Sequence, residues 1–451
     1  MVVPLHLHSL LPSVTSCWPS SLSPNTPTVD RRSFQHKTHQ IRRPWTAVAF
    51  NTKPTDRQSF PLLELAHATA VWLLVSSLPY QITNQFPALS IGTYMEIGHC
   101  FLDGNADAVE FCPHESFYNV LAASTYVLQE GDQPSRSGSV TLFDIDADAD
   151  ANANAGKLQL IQRLETSGIF DMKWSLGAGE GLGPPLLAQA DADGWLKICG
   201  LHDCDSNGSE MRGIHLKEMC GKYISSSMCL CVDWNPSATS MVVGLSNGSV
   251  SIISLEDSEF DILHEWKAHE FELWAASFDV HQPMLVYTGS DDCTFSCWDL
   301  RNDPSKLVFR NTKVHKMGIC CIAKSPTDSN ILLTGSYDEQ LRIWDVRSTS
   351  KPVSDSSIGL GGGVWRIKHH PSISGLVLAA CMHNGFAILK IKDDQAQVVE
   401  TCDKHGSLAY GADWQRGDSF VDGKRRSSAV ATCSFYDRLV RVWTPKVHMF
   451  V

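Results

Sequence analysis

Two segments of this chain superimpose almost residue for residue: LVYTGSDDCTFSCWDLR (285–301) and LLTGSYDEQLRIWDVR (332–347), with Trp298 and Trp344 in the same place, 46 residues apart. VATCSFYDRLVRVW (430–443) repeats the pattern to Trp443, and LAACMHNGFAILKI (378–391) fills the gap between them. A second landmark precedes each unit on its first strand: Phe111, Trp174, Trp234, Phe278, Lys324, His369 and Trp414, spaced by 63, 60, 44, 46, 45 and 45 residues. Short β-rich runs between Gly/Asn/Asp turns at this period exclude a few long helices. Seven landmarks predict seven four-stranded antiparallel sheets arranged as the blades of one all-β propeller, with two insertions in the early blades. A length of 451 residues alone suggests two or three domains, but the period gathers residues 95–451 into one.

The residues that tie such blades together are present. In blade 4 they are His269, Ser290, Asp292 and Trp298, and in blade 5 His315, Ser336, Asp338 and Trp344. This pattern resembles the WD-repeat family, which implies a buried polar network joining the loop that enters a blade to its second turn. Mutual partners keep such buried groups from being orphaned. Blade 7 keeps His405, Asp437 and Trp443 and puts Phe435 where the Ser is expected, and blades 1 to 3 are degenerate.

Thirteen Trp, 31 Gly and 43% hydrophobic residues exclude a disordered chain. The charge is uneven. Residues 1–60 carry seven Lys/Arg (Arg31, Arg32, Lys37, Arg42, Arg43, Lys53, Arg57) against Asp30 and Asp56, net +5, so the total of -12 leaves -17 for residues 61–451. An acidic propeller argues against nucleic acid or an anionic membrane as partner. Residues 1–94 form a separate extension, expected to be poorly ordered; its Ser-, Pro-, His- and Arg-rich front has the composition of an organelle transit peptide. The apolar run Leu62–Leu78 holds Glu64 and His67 and is short for a membrane span. Fifteen Cys without a C-x-x-C pair read as reduced core thiols of a cytoplasmic protein, with no metal site and no cofactor expected. DIDADADANANAG (144–156) lacks the Gly and Glu of an EF-hand loop and reads as an acidic surface loop, and SLGAGEGLGPP (175–185) as a connector.

In a propeller the loop entering the first strand and the turn between the second and third strands lie on one face. Four residues before the landmark stand Phe170, Trp274, Trp365 and Tyr410 in blades 2, 4, 6 and 7. Four aromatics near one mouth of the channel either wedge between blades or line a pocket for a quaternary ammonium, which ring faces attract by about 0.5–2 kcal/mol each. At the turn-Asp position the series Asp193, Asn247, Asp292, Asp338, His383, Asp437 is broken by His383, a candidate general base or a satisfied turn histidine. The positions just before are Ala192, Ser246, Asp291, Tyr337, Met382 and Tyr436, where propellers usually meet ligands. Gly361, Gly362 and Gly363 precede Trp365 and offer either oxyanion donors or a plain interblade loop. Gly244-Leu245-Ser246-Asn247-Gly248 matches G-x-S-x-G, but its flanks read strand to strand, as a hairpin and not a nucleophile elbow.

The strings AHEFELWAASF (268–278), HKMGICCIAKSP (315–326), GGVWRIKHHP (362–371), LAACMHNGF (378–386), YGADW (410–414) and VATCSFYD (430–437) together resemble the diphthine methyl ester hydrolase family of diphthamide biosynthesis over residues 95–451. The resemblance implies an enzyme whose protein substrate is elongation factor 2 carrying methylated diphthine, a histidine bearing a trimethylammonium and a methyl ester; hydrolysis releases methanol. On that reading Phe170, Trp274, Trp365 and Tyr410 cage the ammonium, His383 activates water and Gly361–Gly363 offer oxyanion donors. A different class stays open. Trp298-Asp299-Leu300-Arg301 and Trp344-Asp345-Val346-Arg347 resemble the WDxR box of propellers that act as substrate receptors or scaffolds for cullin ubiquitin ligases, with Arg301 and Arg347 meeting the ligase adaptor.

Overall fold

A computed structural model describes residues 94–451, apart from 132–133, 147–157, 177–182, 205–212, 302–305, 349–350, 393, 418–419, 422–423, 426–427 and 447–451. The extension, its apolar run, and most of the acidic loop and of the connector lie outside the described residues.

Seven four-stranded antiparallel sheets form, each from consecutive strands in blades 1 to 6. Blade 7 is different. Its three strands Ala409–Trp414, Val430–Ser434 and Leu439–Thr444 take their fourth from Met95–Phe101, which pairs antiparallel with Leu439–Thr444. The two ends of the ring are thus closed by the strand at which the β pattern begins, and closure protects the edges an open sheet would leave.

Every landmark residue is the last residue of an innermost strand: Asn105–Phe111, Ile169–Trp174, Cys229–Trp234, Ala275–Phe278, Ile319–Lys324, Arg366–His369 and Ala409–Trp414. The tryptophans among them show why. Trp174 Nε1 donates to the Glu110 carbonyl (3.1 Å), Trp234 Nε1 to that of Lys173 (3.0 Å) and Trp414 Nε1 to that of Lys368 (3.1 Å), so each indole ties its strand to the residue before the landmark of the preceding blade. Between blades the core is aromatic and aliphatic; Tyr287 and Phe295 of blade 4 pack with Ile319, Leu332 and Trp344 of blade 5, all nearly fully buried.

The WD network forms in blades 4, 5 and 7, with one change in its wiring. His269 reaches Asp292 at 3.0 Å, but the hydroxyl joining it to the tryptophan is Thr288, which accepts from Trp298 Nε1 at 2.9 Å and meets His269 Nε2 at 2.8 Å. Ser290 instead closes the turn, donating to the Phe271 carbonyl and accepting from the Asp292 amide. In blade 5 Thr334 joins His315 (3.0 Å) to Trp344 (2.8 Å), Ser336 closes the turn, and Arg342 is inserted between His315 and Asp338. Burial, aided by Arg342, holds the His315 imidazole down at about 4. In blade 7 the serine is Ser434, bonded to His405 and Asp437; the turn is one residue longer than in blade 4, which pushes Phe435 inward. Thr334→Val removes the shared hydroxyl and strands two buried ring nitrogens, so a loss of about 2 kcal/mol is expected from the denaturant midpoint, while Thr327→Val on the surface leaves it unchanged.

Candidate functional site

The innermost strands carry bulges near their entry, between Ala106 and Val109, Ile169 and Asp171, Cys229 and Cys231, Ile319 and Cys321, and Ala409 and Ala412. A bulge re-aims a side chain, so residues four and three before the landmark both turn to the channel. In blades 4 and 6 Trp274 and Trp365 reach the same level from just before the strand.

Phe170, Trp274, Trp365 and Tyr410 come together. Ring centroids lie 6.3 Å apart for Phe170 and Trp274, 5.4 Å for Trp274 and Trp365, and 4.7 Å for the stacked pair Trp365 and Tyr410. Two rings complete a closed circuit: Phe435 lies 5.1 Å from Tyr410, and Tyr126 6.3 Å from Phe435 and 4.8 Å from Phe170. Contacts skip whole blades, from blade 2 to 4 and from 4 to 6, because Leu230 and Cys320 hold the intervening places. The aromatics therefore converge across the channel. Tyr337 and Met382 pack around them from the turns of blades 5 and 6. Tyr126 and Phe435 carry no sequence offset in common with the other four; the inward push on Phe435 was foreshadowed only by its place in the turn.

Below the ring the channel is charged. Arg366 donates to Asp171 at 2.6 Å; Lys368 pairs with Glu110 and with Asp413 at 3.3 Å, and Lys173 lies 3.5 Å from Glu110. The cavity bounded by Phe170, Trp274, Trp365, Asp171, Asp233 and Arg366 has a volume of about 80 Å³, room for a single small group and below the roughly 300–1,000 Å³ of sites for drug-sized ligands.

Asp291 stands at the rim, on the blade 4 turn. Its Oδ1 is buried without a hydrogen-bond partner, and so are the indole nitrogens of Trp274 and Trp365. The backbone of Gly318 gives it room, since a Cβ there would run into the carboxylate. Burial pushes the Asp291 carboxyl up to about 7, against the Trp274 indole, and the charges of Glu272 and Asp292 add to the rise. A carboxyl poised near neutrality against the Trp274 indole, at the edge of the aromatic ring, has the chemistry of acid–base catalysis.

His383 follows Met382 in sequence. It is half-buried on the blade 6 turn, burial holds its imidazole below the ordinary range, and the charge nearest it is Glu339; the residue that its turn sends to the aromatics is Met382. The three glycines serve close packing. Gly361 has a φ of +72°, a Cβ on Gly362 would meet the Cys381 carbonyl oxygen, and one on Gly363 would come 2.6 Å from Met382 Sδ. Gly363 thereby lets the loop rest against the ring. Ser246 lies in a hairpin between Ser240–Leu245 and Ser249–Glu256, with Gly248 at φ +81°. Arg301 and Arg347 are 63% and 74% exposed, and each folds back on the Asp of its own WD pair, Asp299 and Asp345. The thirteen cysteines described here are all free thiols.

The family described as WD domain, G-beta repeat, matches residues 260–299 and 307–345. Diphthine methyltransferase of Mus musculus is 35% identical over 68% of this chain and 67% of its own length. The diphthine methyltransferase homolog of Dictyostelium discoideum is 33% identical over 76% of this chain and 98% of its own. Among solved structures, a chain in the crystal structure of the mitotic checkpoint complex superimposes with a TM-score of 0.57 over 87% of this chain and 99% of its own, at 15% identity, a likeness of fold alone.

Proposed function

Because the chain belongs to the diphthine methyltransferase family of WD-repeat proteins in diphthamide biosynthesis, we propose that it is the hydrolase that removes the methyl ester of methylated diphthine on elongation factor 2, yielding methanol and diphthine. The observation that carries this reading is the closed aromatic ring above a channel of paired acids and bases, since ring faces suit a trimethylammonium side chain. Ester hydrolysis needs water, a base and anion donors. Asp291 takes a proton from water as it attacks the ester carbonyl carbon, the indole N–H groups of Trp274 and Trp365 face the developing oxyanion, and the proton returns to the departing methoxide as methanol. Asp291 is taken over His383 as the base, since its carboxyl lies against the Trp274 indole and burial raises it to about 7, whereas burial lowers the His383 imidazole.

The relatives' name, diphthine methyltransferase, states methyl transfer, and the two reactions are separable. Purified full chain incubated with methyl-esterified elongation factor 2 is expected to release methanol with no added methyl donor. Methyl incorporation from S-adenosylmethionine with no methanol release overturns the hydrolase reading. Tyr410→Ala is expected to raise KM about tenfold through loss of a ring contact worth about 1 kcal/mol or more, with a smaller fall in kcat, whereas Trp365→Ala also removes an oxyanion donor and is expected to lower kcat about 10²-fold besides raising KM.

A further inference from the structure

The offset that brings four aromatics together places Asp107 at the same level in blade 1, four residues before Phe111. Asp107 is 3% exposed, and its Oδ1 has no hydrogen-bond partner. It is the one acid of a tier otherwise filled by Phe170, Leu230, Trp274, Cys320, Trp365 and Tyr410. The groups facing it are the Tyr126 and Tyr410 rings, the Cys433 thiol, and the Arg366 and Asp171 charges one level deeper. Arg366 compensates Asp107 only in part, because its Nη1 donates to Asp171 at 2.6 Å. Burial accordingly pushes the Asp107 carboxyl up to about 8, with Arg366 drawing it down and Asp171 raising it.

We infer that Asp107 is the counter-ion of the aromatic ring: a quaternary ammonium seated among the rings displaces the carboxyl proton, so that capture of the cation releases a proton to solvent. The balance is simple, since the acid and the free cation become an ion pair and one proton that leaves to buffer. A primary ammonium needs three acceptors that ring faces do not supply, whereas a fully methylated one needs only a face and a charge. The site therefore selects methylated over unmethylated amines, and its affinity rises with pH up to about 8 by linkage. This rests on the ring being an ammonium site, and not on ester hydrolysis.

Isothermal titration of tetramethylammonium chloride into the full chain at pH 7, at matched ionic strength in PIPES and in imidazole, separates the proton from the binding heat. The expected release is about nine-tenths of a proton per cation bound, from a carboxyl near 8. Asp107→Asn is expected to abolish the release and weaken binding about tenfold, and methylammonium chloride to bind wild type about tenfold more weakly than tetramethylammonium. Thr327→Val, on the surface, is expected to keep the release. No proton release in wild type, release that survives Asp107→Asn, or equal binding of methylammonium overturns the inference. Proton-coupled capture by a protein that releases no methanol sustains it and sinks the hydrolase reading; methanol release without proton-coupled capture does the reverse.

Discussion

Asp107→Asn is expected to raise stability at pH 8 by about 2–3 kcal/mol while leaving it nearly unchanged at pH 4.5. A carboxyl raised by folding holds its proton more tightly folded than unfolded, so the folded state binds more protons between the unfolded value of 3.8 and about 8. Stability contributed by neutral Asp107 is therefore complete below 3.8 and lost as pH rises through that window. Each unit is worth ~1.4 kcal/mol, giving an upper bound of about 6 kcal/mol, from which the unpaired amide of the new Asn and local relaxation subtract half or more. Thermal melts of both proteins across pH 4.5 to 8.5 read the difference, which isolates Asp107 from every other titrating group. A variant no more stable at pH 8 than at pH 4.5, relative to wild type, shows that Asp107 is not raised. A buried acid that weakens the fold at working pH is a familiar cost of a binding site.

The rest of the channel charge does the opposite. Glu110 with Lys368 joins blade 1 to blade 6, and Asp171 with Arg366 joins blade 2 to blade 6, each across the axis and across about 200 residues or more of chain. Arg366 and Lys173 keep their charge firmly, because the carboxylates around them outweigh the cost of burial. Breaking one partner would strand the other, so these pairs fix which residues face the cavity. Asp107 stands out against them as the acid with no such partner.

Blade number and the aromatic offset were legible in the sequence because both repeat. The landmark is the end of an innermost strand, where a residue must pack or reach the previous blade, and this need recurs in every blade. Four positions earlier the same logic located Phe170, Trp274, Trp365 and Tyr410, and applied to Phe111 it also yields Asp107, which a search for aromatics passes over. Tyr126 lies on a second strand and Phe435 on a lengthened turn, so no single offset finds them. The WD network was legible in its His, Asp and Trp; its joining hydroxyl was not, because Thr288, Thr334 and Thr432 look like ordinary strand threonines until Trp and His converge on them. His383 drew notice as a break in the turn series, while Asp291, unremarkable as an acid in an acid-rich turn, gains its character from burial beside Trp274 and Gly318.

That contrast sets the second large effect. Asp291→Asn is expected to lower kcat for ester hydrolysis about 10²–10³-fold, the usual worth of a positioned general base, with KM changed less than threefold. His383→Ala is expected to retain at least about a third of wild-type kcat, since on this reading Asp291 and not the imidazole takes the proton from water. The pH profile gives a readout that a merely structural role would not move. Wild-type kcat at saturating substrate should fall below about pH 7 as Asp291 takes up its proton, and that limb should vanish in the residual activity of Asp291→Asn, whereas the Asp107 linkage acts on KM and persists. The substitution leaves the fold intact, because it replaces a raised carboxyl by a neutral group of the same shape; its melt at pH 8 should match or exceed wild type. An intact fold with undiminished kcat in Asp291→Asn, or a larger loss in His383→Ala, moves the base to the blade 6 turn and leaves Asp291 as an electrostatic partner of the ammonium.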